Sequence, residues 1–134
     1  MFEAFCKEKL GPLALRLAVG VFCVYHGYLK IMAAGGTAWH PGWPVGWQVA
    51  LAWAEFTAGV AIILGFRCRI AGLVVLLLVA SDVVWNEGRR VLHLPPRTLE
   101  MILLLLLTAL ALVCVGAGGL SLDGRAAGKA GHKR

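Results

Sequence analysis

Residues 16–30 read RLAVGVFCVYHGYLK. The run is apolar enough to enter a bilayer, yet it carries Arg16, His26 and Lys30. An ionisable side chain at a bilayer centre costs about 2.5–3.5 kcal/mol on insertion scales, so each of these groups needs a partner. His26 and Lys30 are four residues apart and share a helix face, with Tyr25 and Gly27 beside His26. Lys7 and Lys9 precede the run as they would a secretory signal. Its length, and the His26 and Lys30 in its second half, do not suit a signal core, so it reads as a membrane span with one polar face.

Composition agrees. Of the 134 residues, 60% are hydrophobic and 15% charged, and the mean hydropathy is +0.79. A soluble domain is typically about 45–50% apolar and about 25% charged. The net charge of +6 and pI near 9.6 do not point to nucleic acid, because basic residues are not interleaved with aromatics. They flank apolar runs instead, where orientation signals and contacts with anionic lipid belong. Nothing resembles a linker, so one domain is expected.

The other spans follow outward from the first. Residues 1–11 read as an interfacial segment, broken at Gly11–Pro12. The spans are expected over about 12–32, 47–66, 70–85 and 98–115, an all-α, antiparallel four-helix membrane bundle within 12–124, followed by a basic tail over 125–134. Residues 33–46, rich in Gly, Pro and Trp, form a loop, with Trp39, Trp43 and Trp47 as an aromatic belt. The turn at 65–69 is too short for anything but a helical hairpin. Thr98 suits an N-cap, and Glu100 falls in the following first turn.

Charge counting orients the bundle. One side holds Lys7, Lys9, Arg16, Arg67, Arg69, Arg125, Lys129, Lys133 and Arg134; the other holds Lys30, Arg89, Arg90 and Arg97. The excess puts both termini in the cytoplasm. Lys30, His26, Asp82 and Glu100 then lie toward the outer end, with Glu55 near mid-depth of the second span.

Each candidate has a structural reading beside the functional one. Lys30 either snorkels to the interface or lines a pocket. Asp82 and Glu100 are either helix-end residues meeting headgroups or members of that pocket. Arg16 is an orientation charge with a structural partner. Glu55 is flanked by LAWA and FTAG, where no end effect reaches, and a mid-span acid is by default functional or critical to packing. His26 or Lys30 is its expected partner. Gly59, four residues on from Glu55, permits close helix packing. Cys6, Cys23, Cys68 and Cys114 form no CxxC and no zinc spacing. Cys23 and Cys114 read as small buried hydrophobes, while a dithiol among Cys6, Cys68 and Cys114 is the competing reading. No metal constellation, phosphate loop or nucleophile elbow is present.

Taken together, Arg16 with Gly20 and HGYLK at 26–30, Glu55 with Gly59, LGFRCR at 64–69, Glu100, and the glycine-rich exit running into LSLD at 120–123 resemble the DoxX family of small four-helix membrane proteins. The resemblance covers about residues 12–124. It marks Arg16, Gly27, Gly59, Ser121 and Asp123 as motif positions, with Arg67 and Arg69 both eligible as the basic residue closing the second hairpin turn. The family takes its name from a subunit linked to a thiosulfate:quinone oxidoreductase of the respiratory membrane. The resemblance therefore implies an inner-membrane subunit of a redox system, with quinone as the ligand class and with lipid, other redox subunits or further copies of the chain as partners. In that reading Glu55, His26, Lys30 and Tyr25 line an outward polar pocket bordered by Glu100 and Asp82. A non-catalytic scaffold of a larger membrane complex is the alternative. A small transporter is the weakest reading, since four short spans give little room for alternating access. The chain carries no self-sufficient catalytic motif.

Topology is directly testable. Reporter fusions or cysteine labelling are expected to place residues 1–10, 67–69 and 125–134 on the cytoplasmic side and residues 33–46 and 87–97 outside. A cysteine at Arg125 that labels only from the outer face would reverse the assignment.

Overall fold

The structure, a computed structural model, describes residues 6–34, 43–84 and 96–123 of the chain. A π-helical turn over Cys6–Leu10 leads into α1 (Gly11–Ala34), followed by α2 (Val45–Leu64), α3 (Cys68–Asp82) and α4 (Pro96–Val115). The expected break at Gly11–Pro12 is instead a change of helix type. Proline cannot donate to the helical ladder but suits the first turn of an α-helix, so the chain passes from the wider turn into α1 at this point. Trp39, most of the 86–97 loop, the side chain of Asp82 and the 125–134 tail lie outside the described residues.

The helices form an all-α, antiparallel four-helix membrane bundle. Two runs, Glu8–Ala33 and Val45–Leu64, are long and apolar enough to cross a bilayer. The apolar stretches Cys68–Ser81 and Glu100–Val115 are shorter. The bundle is apolar on both sides of its wall. Val19, Ile62, Val75 and Leu112 are fully buried, while Leu77 and Leu107 are 61% and 62% exposed. Water would penalise such a surface, whereas hydrocarbon solvates it at no cost. Trp47, exposed in the first turn of α2, sits where an interfacial aromatic belongs.

Between lipid and lipid-like core there is little hydrophobic drive, so helices associate through close packing and hydrogen bonds. The α1–α2 pair shows this most clearly. Along α1 the facing residues are Arg16, Gly20, Cys23, Gly27 and Lys30; along α2 they are Ile62, Gly59, Glu55, Ala52 and Gln48. A Cβ on Gly27 would stand 2.7 Å from the Phe56 backbone nitrogen, and one on Gly59 2.8 Å from that of Val24. Only glycine lets the two backbones approach this closely. Of the cysteines expected inside, Cys23 is fully buried but Cys114 is exposed, because Ala109 and Leu112 take the inward positions of α4.

At one end all four helices are tied together. α2 stops in a Schellman turn: Gly65, at φ 75°, donates to the Ile62 carbonyl and Phe66 to that of Ala61. Arg16, only 3% exposed, supplies further donors at this end. Its Nε donates to the Ile62 carbonyl at 3.0 Å and its Nη2 to that of Ile63 at 2.5 Å. Its Nη1 donates to the carbonyls of Leu120 and Ala117 at 3.0 and 3.3 Å. A cation here also complements the negative end of the α2 dipole. Asp123 completes the tie from the segment after α4. Its carboxylate accepts from the backbone N–H of Arg67 at 2.9 Å and of Cys68 at 3.1 Å, capping α3 from across the bundle. Ser121 is buried and its hydroxyl donates to the Gly118 carbonyl at 2.6 Å.

This arrangement makes Arg16→Lys a sharp test. A lysine is a point donor and cannot reach four carbonyls spread over two segments. Leaving two or three buried carbonyls unsatisfied should cost about 2–4 kcal/mol. The variant is expected to keep its helical circular dichroism and melt at a distinctly lower temperature in mild detergent. An unchanged melting curve would contradict the tie.

Candidate functional site

The second polar feature lies farther along the α1–α2 seam. Lys30 is fourteen positions beyond Arg16 on α1, about 21 Å at about 1.5 Å per residue. Across from it stands Glu55, in the middle turns of α2 and 7% exposed. Lys30 Nζ donates to Glu55 Oε2 at 2.6 Å. The register that sets Arg16 opposite Ile62 and Gly27 opposite Phe56 brings these two residues level. The ion pair therefore follows from glycine packing as much as from its own attraction.

The two partners are unequally covered. The Lys30 side chain is 28% exposed and that of Glu55 9%. The carboxylate is thus held inside by an ammonium that reaches the bundle surface. At this depth a lone carboxylate would be costly, and a short charge-assisted contact offsets that cost. His26 lies one turn back from Lys30 on α1. Its imidazole stacks on the Phe22 ring, centroids 4.1 Å apart and planes 23° from parallel. Tyr25 meets the same imidazole edge-on at 5.7 Å and is 59% exposed. His26 is thus bracketed by two aromatic rings of its own helix.

Of the residues expected in one pocket, the structure joins Lys30 to Glu55 and places His26 next to them along α1. Tyr25 turns outward to the lipid side. α4 begins at Pro96, so Thr98 lies inside the helix instead of capping it and Glu100 falls past the first turn, where it is exposed and apart from the pair. Asp82 ends α3, and its side chain lies outside the described residues. Arg16, Gly27, Gly59, Ser121 and Asp123 serve packing and the tied end. Arg67, in the left-handed region at φ 46°, gives its backbone to the Asp123 cap, while Arg69 stands exposed one residue inside α3.

One buried polar residue escaped the sequence reading. Gln48 is 1% exposed, two turns before Glu55 on the same face of α2, and its Nε2 donates to the Trp43 carbonyl at 3.0 Å. The seven-residue interval to Glu55 was the available signal. With Glu55 it makes a polar stripe on an otherwise apolar helix. Among the described residues no group of three His, Cys, Asp or Glu gathers to hold a metal, and all four cysteines are free.

The family model described as DoxX matches residues 11–86. No curated protein and no solved structure matches the chain.

The energetics of the pair can be separated from its chemistry. Lys30→Met strands a buried carboxylate and should destabilise by about 3–5 kcal/mol, less whatever protonation recovers. The double variant Lys30→Met/Glu55→Leu removes both charges and should regain most of that loss in thermal melting. A double variant no more stable than Lys30→Met would show that the two residues are not energetically coupled.

Proposed function

The chain belongs to the DoxX family of membrane proteins, and from that premise we propose that it is a membrane subunit of a quinone-linked redox system in a bacterial-type inner membrane, with both termini cytoplasmic. In this reading it is not catalytically self-sufficient. It presents the Lys30–Glu55 pair to a quinone head arriving sideways from the bilayer, and it works with other redox subunits or further copies of itself. The observation that carries the reading is the asymmetry of the pair: a 2.6 Å contact whose carboxylate is inside and whose ammonium reaches the surface.

A quinone presents two carbonyl oxygens on a flat ring with an apolar tail. The Lys30 amine is a donor suited to one of those oxygens, and the contact with Glu55 holds it in place. The imidazole of His26, flanked by the Phe22 and Tyr25 rings, offers a flat aromatic neighbour to the head group. The exposed Leu and Val faces of the helices suit the tail.

A scaffold reading has its own support. Glu55 is buried and paired at short distance, which is also what a purely structural bond looks like. The stability-restored double variant Lys30→Met/Glu55→Leu separates the two. If the pair meets a quinone, a short-tailed benzoquinone should quench the tryptophan fluorescence of the natural protein. The double variant should bind it at least about tenfold more weakly while melting normally, the loss of one charged hydrogen bond. Equal binding by both proteins would leave the pair structural and the scaffold reading standing.

A further inference from the structure

The tied end of the bundle holds a feature that neither the tie nor the Lys30–Glu55 pair uses. Where α3 begins and α4 ends, a cleft of about 540 Å3 opens between Arg67, Arg69, Ile70, Val115 and residues 116–118, with Asp123 also on its wall. Both arginines are exposed. The Arg67 guanidinium lies 5.9 Å from the Phe66 ring centroid. The Arg69 guanidinium lies along Gly116, close enough that a Cβ there would come within 3.3 Å of its Nε. The positive φ of Gly116, 80°, and of Gly118, 71°, folds this backbone into the cleft floor.

The charge of the cleft is unbalanced. Among the described residues neither guanidinium is in an ion pair. Asp123 is the acid on the cleft wall, and its two oxygens accept from the backbone N–H groups of Arg67 and Cys68. The remaining walls are apolar. Ile70 and Val115 are 56% and 53% exposed, and beyond Ile70 the outer face of α3 continues as Leu73 and Leu77. Two cations thus sit at a helix end, above a strip of surface that only hydrocarbon solvates.

We propose that this cleft binds the head group of an anionic glycerophospholipid. Its phosphate would be held between Arg67 and Arg69, and one acyl chain would lie along Ile70, Leu73 and Leu77. The planar guanidinium fork matches phosphate oxygens, and helix ends lie at head-group depth. The volume suits a head group and not a whole lipid. A choline cation would meet two arginines, with the backbone-bonded Asp123 as the acid on the cleft wall, which selects for a head group of net negative charge.

The test uses the full chain in nonionic detergent, titrated with short-chain phosphatidylglycerol or phosphatidylcholine, with bound lipid counted by native mass spectrometry. The natural protein is expected to prefer phosphatidylglycerol. Arg67→Gln/Arg69→Gln should reduce that preference about twenty-fivefold, at about fivefold per arginine. Lys129→Gln/Lys133→Gln removes the same charge from the tail and should change it less than about twofold. Ala117→Leu keeps both arginines and fills the cleft, so it too should weaken phosphatidylglycerol binding, and it carries the test if the arginine variant does not fold. Equal losses in the arginine and tail variants would mean only general attraction to a basic end and would overturn the site. So would inorganic phosphate or glycerol 3-phosphate displacing the lipid at equal concentration, since the cleft would then be one for free phosphate.

Discussion

The closed end of this bundle depends on a single guanidinium. Arg16 bonds to four backbone carbonyls, two at the end of α2 and two in the segment after α4. Ile62 also accepts from Gly65, but buried carbonyl positions left without a donor at such a helix end are expensive. A carboxylate partner would have satisfied the charge of Arg16 but left the carbonyls open. By meeting backbone dipoles the arginine solves both problems at once. It also explains why this buried cation stands at a helix terminus, since only there are carbonyls free to accept.

From that end the α1–α2 seam runs outward in fixed register. Gly27 and Gly59 hold the backbones close, and the same face then delivers Lys30 level with Glu55. One polar contact is therefore built on dipoles and the other on opposite charges, about four helical turns apart on α1 at about 3.6 residues per turn. Between them the close approaches are made at Gly20, Gly27 and Gly59, which leaves little freedom for the pair to shift. A ligand meeting Lys30 would meet a preorganised group, and less ordering cost would be charged against its affinity.

The division of the polar groups also separates two kinds of surface. The tied end concentrates Arg16, Arg67 and Arg69, and Lys9 lies there too, its side chain 3.8 Å from the Cβ position of Gly119. Arg16 is consumed by the fold, whereas Arg67 and Arg69 face outward. The sign of the exposed charge at that end is thus set by residues the fold does not need for its own hydrogen bonds. Asp123 shows the converse: an acid placed among arginines yet spent on the N-terminal N–H groups of α3.

Much of this was legible in the chain itself. Apolar runs of helical length, glycine at the right intervals and charges inside RLAVGVFCVYHGYLK fix a membrane bundle, because hydrocarbon tolerates no backbone that is not internally bonded. Glu55 stood out for the same reason: nothing near it in sequence could lower its cost. Partners were another matter. Arg16 and Leu120 are 104 residues apart, and Asp123 caps a helix that begins 55 residues earlier. No local pattern encodes such pairings, since they arise only when helix ends converge. The choice of Lys30 as a partner for Glu55, the outward turn of Tyr25 and the burial of Gln48 were likewise decided by the rotation and register of α1 on α2. Sequence periodicity says which residues share a face. Only backbone packing at Gly27 and Gly59 says what that face meets.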